Sequence, residues 1–156
     1  DPPLLDLHAA KLIGPDSYEV RGDARRFENW ESFVAGRLGL ATAIDYALDL
    51  GMGAIRDRIY AMAARLRDGL DSLPGATVHD LGREKCGIVS FTVDGHEPVD
   101  IKNHVAVKQI NVSASRRPST LLDMTNRGLD SVVRASAHYY NTEDEVDRLL
   151  EAVGAL

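Results

Sequence analysis

Between about Asn29 and Leu50 the apolar positions Val34, Leu38, Ala41, Ile44 and Leu48 recur at intervals of three and four. That spacing puts them on one face of a helix. Asn29 is placed to cap its start, and Gly51 and Gly53 interrupt it. A second helix is predicted over 54–73. Its stripe is Ile55, Ile59, Met62, Leu66, Leu70 and Leu73, with Arg56, Asp57, Arg65 and Asp68 turned outward, and Leu73-Pro74-Gly75 ends it.

The period then shortens. Residues 77–80 read as a short strand and residues 87–93, with Ile88, Val89 and Val93, as a stronger one closed by an Asp94-Gly95 turn. Residues 97–108 carry both signals, since Val99, Ile101, Val105 and Val107 alternate while Pro98 fits the first turn of a helix. A helix is expected over this segment. Residues 110–113 and 131–136 are the third and fourth strands. A last helix starts at Thr142, where Thr142-Glu143-Asp144-Glu145 has the form of a capping box and Val146, Leu149, Leu150 and Val153 form the stripe. Residues 1–27, broken by Pro2, Pro3, Gly14, Pro15 and Gly22, are expected to be irregular. Two helices, two strands, a helix, two strands and a helix specify an α+β domain, mainly antiparallel, with the helices on one side.

Composition narrows the function. In 156 residues, 44% are apolar and 27% charged, as in ordinary globular proteins. The net charge of -6 argues against a nucleic-acid or anionic-membrane surface, and no apolar run approaches a membrane span. The one cysteine, Cys86, rules out an internal disulfide and fits a reducing, cytoplasmic setting. The start at Asp1-Pro2-Pro3-Leu4 has no secretory-signal pattern and reads as a cut through a longer chain. The five histidines show no metal-ligand spacing, so no metal site is expected, and there is no phosphate-binding glycine loop or nucleophile elbow.

Two segments carry candidate chemistry. Residues 24–31, Ala-Arg-Arg-Phe-Glu-Asn-Trp-Glu, lead into the first helix. They are either charged and aromatic residues around a helix start or an anion-facing helix N-terminus. In residues 132–142, Arg134 sits in an apolar strand between Val133 and Ala135. It points to water at an edge or is held for a planar anion, carboxylate above all.

Together these segments resemble the C-terminal domain of the class V aminotransferase superfamily, which includes cysteine desulfurases and isopenicillin N epimerase-like proteins. The resemblance rests on Arg26-Phe27-Glu28, Ala35-Gly36 and Gly39-Leu40, on Cys86 to Phe91, on Val133-Arg134-Ala135-Ser136, and on Tyr140 to Asp147. It implies the small C-terminal domain (29–156) of a fold-type I enzyme, with residues 1–28 leading from a large domain outside this chain. It also implies pyridoxal phosphate as cofactor, held mainly by that large domain, active sites shared in a homodimer, an amino-acid substrate, and Arg134 as the residue binding the substrate carboxylate.

The family's Schiff-base lysine lies upstream of the Arg-Phe-Glu segment. Lys11 is the only lysine there and its surroundings do not match, while Lys85, Lys102 and Lys108 lie on the wrong side. No catalytic residue is therefore expected in this chain. Desulfurases usually continue Arg-Phe-Glu with Ala-Gly-Thr, which contacts the cofactor phosphate; here Asn29-Trp30-Glu31 stands instead. Their nucleophilic cysteine sits in the loop after the third strand; residues 113–120 contain none, and Cys86 is assigned to packing in an earlier strand. The implied function is an amino-acid-transforming enzyme doing C–S lyase, transaminase or epimerase chemistry. The competing reading is a non-enzymatic α+β module that binds a partner or a small acid.

Overall fold

A computed structural model describes residues 9–28 and 32–156. The chain divides into two compact units, residues 1–46 and 47–156.

In the first unit, strands β1 (Ala10–Gly14) and β2 (Ser17–Val20) form an antiparallel hairpin with a register shift between Leu12 and Gly14. This corrects the expectation of an irregular segment up to residue 27. The hairpin was hard to read because its apolar residues do not alternate into a core: Leu12 and Ile13 are 68% and 60% exposed. A 3-10 turn over Ala24–Phe27 follows, capped by the Asp23 side chain on the Arg25 amide. Helix α1 (Val34–Leu50) runs on into the second unit and buries none of its residues. The proposed cap Asn29 lies outside the described residues.

The second unit holds α2 (Met52–Asp71), β3 (Ala76–Val78), β4 (Ile88–Val93), α3 (Pro98–Val107), β5 (Ser113–Arg116), α4 (Leu121–Asn126), β6 (Ser131–Ser136) and α5 (Glu143–Gly154). Its four strands lie in the order β3-β4-β6-β5 and every pairing is antiparallel. The core lies between one face of this sheet and the helices α2, α3 and α5. Val89 and Phe91 of β4 and Val133 and Ala135 of β6 meet Leu66 and Leu70 of α2, Ile101 and Val105 of α3, and Leu149 and Val153 of α5. The expected α+β class, with an antiparallel sheet and its long helices α2, α3 and α5 on one side, is the observed one, while the short α4 lies along the other face.

The ambiguous segment is a helix because its buried residues, Ile101 and Val105, are four apart and Pro98 occupies the first turn, while Val99 and Val107 are exposed. The third strand, expected at 110–113, begins only at Ser113. Gln109 takes a left-handed φ of 61° and the Ile110 amide still bonds to the Val105 carbonyl, so this stretch closes α3 instead of pairing. Ile110 and Val112 pack against the core from coil.

Helices α2 and α5 approach closely at Gly69, where a Cβ would stand 2.3 Å from a Leu150 methyl. Two bridges clamp the pair. Arg58 donates to Glu143 at 2.5 Å and to the Asn141 carbonyl at 2.9 Å, and Arg65 grips Asp147 through two bonds of 2.8 and 2.7 Å. The capping box forms as expected, with the Glu145 amide donating to Thr142 Oγ1 and Glu145 accepting from the Thr142 amide. Asn141 joins by donating to Glu145 and accepting from the His138 amide. The most recognisable stretch of the sequence is thus a helix start that locks α5 onto α2.

A buried ion pair ties the helical layer to the sheet. Arg67 of α2 donates through Nε to Asp80 Oδ2 at 2.7 Å, and through Nη2 to the carbonyls of Cys86 and Ile88 at 2.7 and 3.1 Å. Both side chains are only 10% exposed. Cys86 itself sits in the loop before β4 with its side chain exposed, which corrects its assignment to strand packing. Its backbone carbonyl is held by Arg67 at 2.7 Å, while its thiol makes only a 4.0 Å contact to the Ile88 carbonyl.

Three outcomes follow for unfolding experiments. Arg67→Ala leaves the Asp80 carboxylate buried without its cation, and should cost about 3–5 kcal/mol in denaturant unfolding. Cys86→Ala removes an exposed group and should stay within about 0.5 kcal/mol of the parent. Glu143, held down to about 2 by the Arg58 hydrogen bond, contributes stability that is fully present above its ordinary value of 4.5 and is lost as pH falls toward 2. Arg58→Gln should therefore flatten stability against pH across that window, as read by urea titrations at stepped pH.

Candidate functional site

Alternation along β6 sends Val133 and Ala135 into the helical layer, so Val132 and Arg134 point from the opposite face of the sheet. The register places Ser90 of β4 and Ser113 of β5 directly across from Arg134, one on each side. Over this face lies a cleft of about 320 Å³. Its polar lining includes His79, Ser90, Ser115, Ser119 and Arg127 beside Arg134, and Met124 of α4 is packed along it.

The arginines differ in what they hold. Arg127 bonds Asp123 at 3.0 Å and also donates to the His79 carbonyl. Arg117 is engaged by Asp130 at 2.5 Å and by the Leu129 carbonyl, and neither it nor Arg116 lines the cleft. Arg134 is half-buried, and its guanidinium meets no hydrogen-bond acceptor among the described residues. A half-buried guanidinium with no acceptor among the described residues is suited to a ligand carboxylate, which it can take through two parallel donors.

The cleft floor is tied together by hydrogen bonds. Asp80 accepts from the Ser90 amide at 2.9 Å and from the Ser90 hydroxyl at 2.6 Å through one oxygen, while Arg67 holds the other. Burial pushes the Asp80 carboxyl up, but the two Ser90 bonds and Arg67 outweigh it, so it sits below the ordinary carboxylate value. His79 donates or accepts with Thr92 at 2.8 Å. Burial and the nearby Arg127 charge both lower its value, which favours the neutral ring.

Other residues singled out from sequence fall elsewhere. Arg25 and Arg26 lie in the exposed turn of the first unit, where Arg26 bonds the Asp23 carbonyl and stacks over Phe27. Asn29, Trp30 and Glu31 lie outside the described residues. Lys11 is exposed on β1, and none of Lys85, Lys102 and Lys108 lines the cleft. Among the described residues no group of side chains could hold a metal ion. Sequence reasoning missed His79, Asp80, Ser90 and Arg127. The available signal was Ser90 and Thr92 alternating with Val89, Phe91 and Val93, which marks a polar face opposite the core.

The geometry can be set beside known proteins. A probable cysteine desulfurase from Halobacterium salinarum is 33% identical over 154 residues, covering 94% of this chain and 36% of the relative. The structure of an apo cysteine desulfurase from Thermococcus onnurineus NA1 superposes with a TM-score of 0.79 at 29% identity, covering 99% of this chain and 39% of that one. A structure of the cystine C–S lyase C-DES with glycine covalently linked to the PLP cofactor has the same fold, with a TM-score of 0.69 at 21% identity, covering 99% of this chain and 38% of that one. The chain therefore spans less than two-fifths of the length of each of these proteins. The family model for aminotransferase class-V matches residues 8–149, and by that match the chain belongs to the class V aminotransferase family.

Proposed function

We propose that this chain is the C-terminal, substrate-holding part of a pyridoxal-phosphate enzyme that acts on an amino acid, and that Arg134 binds the substrate carboxylate. The observation that carries this reading is the guanidinium of Arg134, half-buried in the cleft with no hydrogen-bond acceptor among the described residues. Membership of the family and the desulfurase relatives support a pyridoxal-phosphate enzyme acting on an amino acid.

Among the described residues no lysine lines this cleft, so the cleft itself offers no covalent anchor for the cofactor. When bound, the cofactor supplies an electron sink for bond changes at Cα of the substrate. What this chain's residues do is bind and orient. Arg134 fixes one end of the substrate through a planar, two-donor contact, which limits rotation of the Cα substituents relative to the sheet. The β6 ladder on both sides of Arg134, and the Arg67–Asp80 pair behind Ser90, keep that contact from drifting.

No thiol lines the cleft; hydroxyls of Ser90, Ser115, Ser119 and Thr120 do. This supports chemistry that does not store sulfur on a cysteine of this domain. We place the protein in the cytoplasm, as a homodimer, on the composition and the resemblance above.

Arg134→Lys in the full-length protein should keep the fold and the bound cofactor, because lysine retains the charge and the aliphatic stem. It should lose the two-donor grip. Losing a desolvated charge-assisted contact costs roughly 2–5 kcal/mol, so kcat/KM for amino acids should fall about 30-fold or more, with much smaller losses for amines that lack a carboxylate. Unchanged amino-acid turnover would move the carboxylate role to another residue.

A further inference from the structure

Ser90 stands opposite Arg134 on the same face of the sheet and lines the same cleft. Directly opposed antiparallel residues have Cβ atoms roughly 4.5–5.5 Å apart.

The state of the Ser90 hydroxyl is set from behind. Asp80 Oδ2 is taken by Arg67 at 2.7 Å, and Asp80 Oδ1 lies 2.6 Å from Ser90 Oγ and 2.9 Å from the Ser90 amide. A carboxylate so held only accepts, so the hydroxyl must give its one proton to Asp80. What remains for the cleft is the lone pairs of Ser90 Oγ. The hydroxyl is therefore an acceptor of fixed direction. With Arg134 as its cross-strand partner in the same cleft, the pair offers donors and a fixed acceptor to a ligand with a carboxylate and, near it, a donor.

Resting on the proposal that Arg134 holds a carboxylate, we infer that Ser90 is a second recognition residue of this cleft, an acceptor locked by Asp80 that selects ligands carrying an O–H or N–H group next to the carboxylate. Asp80 and Arg67 are positioning residues for it. They act through Ser90 and do not line the cleft.

The test is a binding measurement on the full-length protein, with L-lactate and propionate as probes and ligand-observed NMR as readout. The two acids differ by one hydroxyl on the carbon next to the carboxylate. A net hydrogen bond corresponds to roughly a three- to ten-fold difference in affinity, so lactate should bind that much more tightly than propionate. Ser90→Ala should bring lactate affinity down to that of propionate; Ser90→Thr, which keeps the hydroxyl, should restore the difference. Equal binding of both acids to the parent protein, or an advantage that survives Ser90→Ala, overturns the inference. Arg134→Gln separates the two layers of the argument. If it abolishes propionate binding while Ser90→Ala changes nothing, the carboxylate reading stands and Ser90 is removed from it. If propionate binds equally well to Arg134→Gln, both fall.

Discussion

The register between β4 and β6 is the constraint on which the second unit depends. Strand side chains alternate between faces, so a shift of one residue would exchange every inward side chain for an outward one. In the observed register Phe91 pairs with Val133 and Val89 with Ala135, all four in the core, while Ser90 pairs with Arg134. Slipping β6 by one position would drive a guanidinium into the layer occupied by Leu66, Leu70 and Ile101. An unpaired charge there is far more costly than any single hydrogen bond of the ladder. The same alternation that hides the aliphatic residues thus presents Arg134 to the cleft, and fold and site are two sides of one pairing.

The ion pairs of this domain divide by burial. Arg58–Glu143 and Arg65–Asp147 are well formed but lie in water, with side chains between 36% and 48% exposed, so their net contribution is modest and falls with salt. Arg67–Asp80 is different in kind. Removing both charges from water costs several kcal/mol, and the cost is offset only because every strong group finds a partner: two carbonyls for the arginine, an amide and a hydroxyl for the carboxylate. A hydrophobic pair of similar volume would hold α2 to the sheet as well. It would not fix the direction of the Ser90 hydroxyl, and that difference gives the polar pair a use beyond stability.

Legibility in the sequence tracked burial. The stripe of α2, the alternation of β4 and the capping box of α5 each repeat a pattern set by a core, and each was readable to within a few residues. The β1–β2 hairpin was not, and strand β5 was read three residues too early. Leu12 and Ile13 face solvent, and Ser113-Ala114-Ser115-Arg116 carries no apolar signal because its partner β6 supplies the buried residues on that side. Helix α1 shows the limit from the other direction: its apolar positions predicted a buried face, yet Leu38, Ile44 and Leu48 are 66%, 49% and 60% exposed. Periodicity reports that a face is made to be covered, not that the covering chain is at hand. At the site, Arg134 stood out because a charge among valines is anomalous. Ser90, Asp80 and Arg67 did not, since each is ordinary in its own segment and only the fold brings them together across 13 and 10 residues of sequence.

The features of a chain that most resemble its family need not be its chemistry. Tyr140-Asn141-Thr142 and the acidic residues after it are the part of the sequence that most resembles the family. Here they are occupied in capping a helix and in bridging it to α2 through Arg58 and Arg65. None of the groups that line the cleft comes from that stretch. The connection is indirect but physical. The chain runs from Arg134 through Ala135 to Ala137, whose amide is tied to the Gly87 carbonyl, and then straight into the capped start of α5. A Cβ at Gly87 would lie 2.8 Å from the Ala137 carbonyl oxygen, so this crossing tolerates little displacement. Anchoring α5 therefore anchors the end of β6, and with it the height at which Arg134 leaves the sheet. The recognisable motif serves recognition by holding still the strand that carries it.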